Sequence, residues 1–231
     1  MPTMDKLWLI KRTLPALLEH TDRDRCDLYV VANGSKKNVL SYLTNTLVGL
    51  KNCHLIRNLR NIGYAQAVSQ GFAFRAPDQH TVHMDDDVEL LTDGVVETLA
   101  DFIELGDNIG MVNPFGFDAA WDGKYELVEG VGKFYNSGYV YTRFAMIGSH
   151  VHSKFGSAWQ PGLYGFEDYI TSRRIAHLGY KVGYWVPDQY VYEHIEMKDE
   201  KYNEFKKEQR AQSYRFEHDR VGERLDKVWM E

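Results

Sequence analysis

A chain of 231 residues, 44% apolar and 26% charged, is long enough to bury one well-filled core and lacks the charge bias of disordered chains. Its formal net charge of −6 excludes a general nucleic-acid binder, which needs a basic footprint to release counterions. Cys26 and Cys53 stand in no metal-type spacing and are too few for a disulfide scaffold, and no run reaches the about 18 apolar residues of a membrane span. The expectation is a cytoplasmic protein that would meet a membrane only from its surface.

In chain order, the opening MPTMDKLWLIKR has no signal-peptide core. DLYVVAN (27–33), CHLIRN (53–58) and TVHMDD (81–86) read as strands, each ending in polar or turn-forming residues. Between them, KKNVLSYLTNTLVGL places Val39, Leu40, Leu43, Leu47 and Leu50 on one helical face, and YAQAVSQGFAFRA is rich in helix formers. Strands alternating with helices predict right-handed crossovers and an α/β fold with a largely parallel sheet flanked by helices. LLTDGVVETLADFIEL predicts a helix capped near Thr92 or Asp93. The pattern then becomes mixed, with strands and turns expected in GMVNPFGF and KYELVEGVGKFYNSGYVYTR. EDYITSRRIAHLG predicts a helix stopped at Gly179, and YKVGYWVP and QYVYEH read as strands. The charged segment after residue 199, with sparse aromatics, predicts a helical tail that covers its own domain or another subunit.

Parallel sheets bind ligands beyond the carboxyl ends of their strands. Asn33, Asn58 and the run Asp85-Asp86-Asp87 all fall at such ends and should converge on one crevice. Three consecutive carboxylates repel one another by several kcal/mol, roughly 4 kcal/mol for a pair at 4 Å in a partly screened site, unless water or a cation relieves them.

The ordered series VVANGSKK, RNIGYAQAVSQGF, MDDDVEL, NSGYVYTR and GFEDYITSRRIAHLGYKVGYWVPDQYVYEH resembles the family 2 glycosyltransferases of the glycosyltransferase A fold over nearly the whole chain. The resemblance implies one catalytic domain over residues 1–198, with a nucleotide-binding half to about residue 90 and an acceptor half beyond it, followed by the tail 199–231. It implies a nucleoside diphosphate-sugar donor, a glycan or other hydroxyl acceptor, and a divalent cation, Mn2+ or Mg2+, held by carboxylates to neutralise charge on the leaving phosphate. By position in the series, Asp87 is the first metal ligand, with His194 closing the site; Asp85 serves the metal or the ribose hydroxyls, and Asp86 faces another partner. Pro2, Thr3, Asn33, Gly34, Ser35, Asn61 and Gly63 would shape the nucleotide pocket.

Asp168 matches the family's general base, which would give inversion at the sugar, with Glu167 as its competitor. Either acid would also suit a helix N-terminus. Arg174 holds a phosphate or pairs with a carboxylate. On the acceptor side, Trp159, Tyr164 and Phe166 offer flat faces to a sugar ring. Two departures stand out: Ala32 occupies a position where the family commonly has an aspartate for the nucleobase, and the strand that ends at Pro2-Thr3 is almost absent. Two rival readings share much of this pattern, a nucleotidyltransferase, whose Gly-rich phosphate loop is lacking here, and a catalytically silent sugar- or nucleotide-binding module.

Overall fold

The computed structural model describes residues 1–115, 124–155 and 167–195, together with residues 200, 203–204 and 206–208 of the tail. The first half alternates strands and helices as its periodicity predicts: β1 (Pro2–Thr3), α1 (Leu7–Glu19), β2 (Leu28–Asn33), α2 (Lys37–Leu47), β3 (Cys53–Asn58), α3 (Tyr64–Phe72) and β4 (Thr81–Met84). β1, β2 and β3 form a parallel sheet in that order, with Thr3 opposite Ala32 and Asn33 opposite Asn58. Leu9, Ile10, Leu14 and Leu17 of α1 are buried, at the three- and four-residue spacing of one helix face, as are Val39, Leu43 and Leu47 of α2. Ile10 and Leu14 pack with the α2 residues and with Val30 and Ala32 of β2 in one cluster.

After the three aspartates come β5 (Val88–Leu90), α4 (Val95–Leu105), β6 (Ile109–Pro114), β7 (Glu126–Val128), β8 (Gly132–Asn136), β9 (Phe144–Ile147), α5 (Ser149–Phe155), α6 (Glu167–His177), β10 (Lys181–Val186) and β11 (Tyr192–His194). A six-stranded mixed sheet runs β4-β9-β6-β10-β8-β7, in which only β6 and β10 are parallel neighbours. β11 pairs antiparallel with β5 as a separate ribbon. Two further clusters fill the core, one around Leu99, Phe102, Phe134 and Phe144 and one around Met111, Ile147, Ile175 and Val182.

Three details differ from the expectations. α4 is capped not by Thr92 or Asp93 but by Gly94, whose φ of 74° lies in the left-handed region that glycine enters without a Cβ clash. The run YVYTR is irregular and the strand begins just after it, at Phe144; FAMI is a short, uniformly buried run without alternation, which periodicity alone does not separate from loop or helix. The short α5 has no apolar stripe to announce it. A cavity of about 280 Å3 lies between β2 and β4, lined by Tyr29, Val31, Phe72, Val82, Met84 and Met146. None of Asp85–Asp87, Glu167, Asp168 or His194 lines it.

His152 on α5 is 2% exposed, its Nε2 against the Thr81 hydroxyl and its ring edge-on to Phe72 at 5.3 Å. Burial, then the charges of Arg75 and His80, push its imidazole from 6.5 down to about 4. The unfolded chain therefore binds this proton below pH 6.5 while the folded chain refuses it until about pH 4, so stability present above 6.5 is lost as pH falls through that window. The loss should reach about 3 kcal/mol. His152→Gln, which keeps a hydrogen-bonding group but cannot titrate, should flatten the pH 4–6.5 slope of the thermal midpoint; an unchanged slope would remove His152 as its source.

Candidate active site

β4 ends at Met84 and the chain turns at once: the Asp85 N–H donates to the Arg143 carbonyl at 2.7 Å, and the Val88 N–H closes back on the Asp85 carbonyl at 3.4 Å. The turn sends the three carboxylates to three different partners. Asp85 Oδ1 lies 2.8 Å from His83 Nε2 and also accepts from the Tyr64 hydroxyl, which itself sits 2.5 Å from His83 Nε2. Burial pushes the Asp85 carboxyl up, but the hydrogen bond and charge of His83 and the hydrogen bond of Tyr64 outweigh it, so the group is held below its ordinary range. The same neighbourhood, burial first and then the negative charges of Asp85, Glu167 and Asp168, holds the Tyr64 phenol well above its ordinary value.

Asp86 takes the Thr3 hydroxyl on Oδ2 at 2.6 Å, and its own carbonyl accepts from the buried Thr13 hydroxyl of α1 at 3.0 Å. Burial and the charge of Asp87 push this carboxyl up to about 7, with Thr3 opposing. Asp87, 7% exposed, faces His194, whose Nε2 lies 3.5 Å from Oδ2; among the described residues Asp87 Oδ1 is buried without a hydrogen-bond partner. Strand register makes this meeting. β11 pairs β5 with His194 opposite Val88, and the Ile195 N–H donates to the Asp87 carbonyl at 2.8 Å. Arg12 of α1 spans both strands, giving Nε to Glu89 on β5 and Nη2 to Glu193 on β11, each at 2.6 Å.

Asp168, in the first turn of α6, comes within electrostatic reach of Asp85 and His83. The backbone N–H of Thr142 donates to its Oδ1 at 2.7 Å and the Thr142 hydroxyl donates to the same atom. Burial raises this carboxyl, the two Thr142 bonds pull it back, and the nearby charge of Asp85 adds to the rise. Glu167 is 8% exposed and lines, with Tyr64, His83 and Thr142, a void of about 20 Å3 beneath the site. Tyr139 lies close enough to Asp168 to sense its charge, and its ring sits 5.5 Å from Tyr141 and 6.5 Å from Tyr169. Burial and the charge of Asp168 lift the Tyr139 phenol above its ordinary value.

The residues expected to shape a nucleotide pocket lie close together, and several of their side chains are occupied with one another. Asn33 donates to Asn61 Oδ1 at 2.9 Å and to the Gly63 carbonyl at 3.1 Å, while its Oδ1 accepts from Asn58 and from the Ile62 N–H, each at 3.1 Å. Asn33 and Asn61 thus brace the loop before α3, and their amides are committed inside the protein. Gly34, at φ 78°, lies so close to that loop that a Cβ would come within 2.4 Å of the Asn61 nitrogen. Its glycine is required by chain packing. The Ser35 hydroxyl donates to the Thr3 carbonyl at 3.3 Å, tying β1 to the turn after β2. Arg174 sits six residues past Asp168, about 9 Å along the helix, half-buried, and burial lowers its guanidinium. Trp159, Tyr164 and Phe166 lie outside the described residues.

Sequence reasoning missed Tyr64, His83 and Thr142. His83 carried a usable signal, since residues two apart in a strand share a face, so a histidine at 83 points the same way as Asp85. Thr142 carried none, being placed by an irregular segment.

The Glycosyl transferase family 2 model matches residues 1–159. The chain belongs to glycosyltransferase family 2. Solved structures with the same glycosyltransferase A architecture include three with the following likeness. The mannosyltransferase PcManGT from Pyrobaculum calidifontis, in complex with GDP-Man and Mn2+, has a TM-score of 0.63 at 19% identity, covering 82% of this chain and 56% of that one. GalNAc-T7 with UDP, GalNAc and Mn2+ has a TM-score of 0.64 at 17% identity, covering 81% and 41%. TarS 1–349 of S. aureus with UDP-GlcNAc has a TM-score of 0.65 at 12% identity, covering 86% and 58%. This family 2 chain therefore spans about half the length of those proteins. No curated protein matches it. No helix among the described residues is long and apolar enough to cross a membrane.

The raised Asp86 carboxyl has a measurable consequence. Between its ordinary 3.8 and about 7 the folded chain keeps a proton that the unfolded chain has released, so folding is progressively penalised as pH rises through that interval. In metal-free buffer with chelator, Asp86→Asn should gain about 1–2 kcal/mol relative to wild type between pH 5 and pH 8, a figure discounted for the partial exposure of the carboxyl. Denaturant unfolding at the two pH values measures it, and an equal difference at both would show that Asp86 titrates normally.

Proposed function

We propose that the protein transfers a sugar from a nucleoside diphosphate donor to a hydroxyl acceptor, with inversion at the anomeric carbon and with Asp168 as general base. The observation that carries the reading is that Asp168, at the start of α6, lies within electrostatic reach of Asp85 and His83, on the acidic turn that also sets Asp87 beside His194. Family membership supports sugar transfer as the class of reaction.

A divalent cation, Mn2+ or Mg2+, fits the Asp87–His194 pair. Among the described residues Asp87 Oδ1 is buried without a hydrogen-bond partner beside the His194 imidazole, and such cations take one or two protein ligands and fill the rest of their shell with phosphate oxygens and water. That shell also accounts for the finding that no group of three or more potential metal ligands occurs among the described residues. When bound, the cation supplies neutralisation of the charge that grows on the departing diphosphate.

The chain's own residues do the rest. Thr142 fixes Oδ1 of Asp168 with two hydrogen bonds, so the carboxylate meets the acceptor in one orientation. Asp168 takes the proton of the acceptor hydroxyl as that oxygen bonds to the anomeric carbon, and the bond to the diphosphate breaks on the opposite face, its electron pair leaving with the phosphate oxygen. Tyr139, Tyr141 and Tyr169, whose rings pack on one another near the base, present ring surface to the acceptor. Thr3 and the loop braced by Asn33 and Asn61 line the donor side.

Turnover, followed as release of nucleoside diphosphate across a panel of nucleotide sugars, tests the reading. Asp168→Asn should lower kcat by 10²–10⁴-fold, the range of a lost general base, while donor affinity stays within about twofold. Because Asp168 acts ionised and its carboxyl is raised, wild-type kcat/KM should fall on acidification through a limb above the ordinary carboxylate range. Asp87→Ala should abolish the metal-dependent part of donor binding. Normal turnover in Asp168→Asn would exclude it as the base, and metal-dependent donor binding without turnover in wild type would leave a silent binding module.

A further inference from the structure

The donor site holds two groups that the transfer scheme does not use, Tyr64 and His83. Tyr64 opens α3 immediately after the loop braced by Asn33 and Asn61, and His83 lies in β4, two residues before Asp85 and on the same face. His83 is 5% exposed and Tyr64 is half-buried beside the acidic turn. The rings meet edge to face at 5.3 Å, and the hydroxyl, Nε2 and Asp85 Oδ1 form a closed triangle of polar contacts.

All of those contacts fall on one carboxylate oxygen. With Nε2 carrying its proton, the tautomer this network selects, Oδ1 accepts from both the imidazole and the phenol. Oδ2 has no hydrogen bond among the described residues, and the Asp85 side chain keeps 25% exposure. A carboxylate gripped by two donors on one oxygen cannot rotate, and its other oxygen faces outward. Asp87 is held differently: its buried Oδ1 is unpartnered and its contact is an imidazole at 3.5 Å.

We propose that Tyr64 and His83 are positioning residues that lock Asp85 so that Oδ2 is presented to a pentose hydroxyl of the donor's nucleoside, leaving the cation to Asp87 and His194. The inference rests on the donor-site reading above. Its chemistry is that of a carboxylate accepting hydrogen bonds from a sugar hydroxyl, for which a fixed oxygen is worth more than a mobile one because no rotamer freedom remains to be lost on binding. Tyr64 and His83 touch neither the reacting atoms nor the cation.

The test compares Tyr64→Phe, His83→Leu and His83→Gln with wild type, by calorimetric titration of GDP, UDP, CDP and dTDP in the presence of Mn2+ and by paramagnetic resonance of Mn2+ alone. Tyr64→Phe keeps the ring contact and removes only the hydroxyl. It should weaken nucleotide binding about tenfold, the scale of one hydrogen bond to a charged group, with Mn2+ affinity within twofold and the thermal midpoint little changed. His83→Leu should do at least as much, and His83→Gln, whose amide can still donate to Oδ1, should recover most of the affinity. Unchanged nucleotide affinity in Tyr64→Phe would overturn the assignment, as would parallel loss of Mn2+ and nucleotide, which would make Asp85 a metal ligand. Should His83→Leu fail to fold, Tyr64→Phe and His83→Gln decide. A wild type that binds none of the four nucleotides would instead fail the donor-site reading, and this assignment with it.

Discussion

Three adjacent carboxylates in a half-buried turn set the problem that the rest of the site solves. Ionised together and a few ångströms apart, each pair would repel by roughly 4 kcal/mol at an effective dielectric near 20, a penalty large against the stability of a whole domain. Each acid meets a different remedy. Asp85 is kept anionic by His83 and Tyr64, Asp86 is pushed towards its neutral form beside Thr3, and Asp87 retains an unpartnered oxygen next to His194. Of the three, Asp87 is the one with a buried oxygen that no described group meets, and a divalent cation is suited to such a position.

The architecture is arranged to deliver those remedies from distant parts of the chain. Thr3 arrives on β1, Tyr64 on α3, His83 on β4 and His194 on β11, so the turn depends on the parallel sheet, the mixed sheet and the β5–β11 ribbon at once. α1 ties the parts together from outside, through Thr13 on the Asp86 carbonyl and Arg12 across Glu89 and Glu193. The ion pairs of Arg12 are surface contacts of modest strength, and their role is to keep the ribbon that carries His194 in register. Asp168 is delivered independently, by α6, and Thr142 fixes it just before β9.

Much of this was legible in the sequence because the first half obeys strong local rules. Alternating apolar strands and amphipathic helices gave the parallel sheet, and the rule that ligands gather at strand ends brought Asn33, Asn58 and Asp85–Asp87 together. What local pattern could not show was how side chains divide their hydrogen bonds. Asn33 and Asn61 were expected to shape a nucleotide pocket, and the pattern could not show that their amides bond one another and brace the loop before α3. Gly34 looked like a turn glycine and is one, with the added demand of a chain crossing within contact distance. The run YVYTR reads as strand by composition, yet it is irregular because Val140 and Tyr141 give their N–H groups to Ser172 and Tyr184, and this irregularity is what frees Thr142 to grip Asp168. Such bonds join residues 26 to 43 positions apart, beyond the reach of any periodicity.

The central claim is the division of labour among the three aspartates. A crystal structure with Mn2+ and the nucleoside diphosphate that binds best, using the anomalous signal of manganese to locate the ion, tests it most directly. The account predicts one manganese peak within coordination distance of Asp87 and His194, with Asp85 Oδ1 still on His83 and Tyr64. A peak on Asp85 or Asp86 with Asp87 turned away, or nucleotide bound at full occupancy with no manganese, would contradict it.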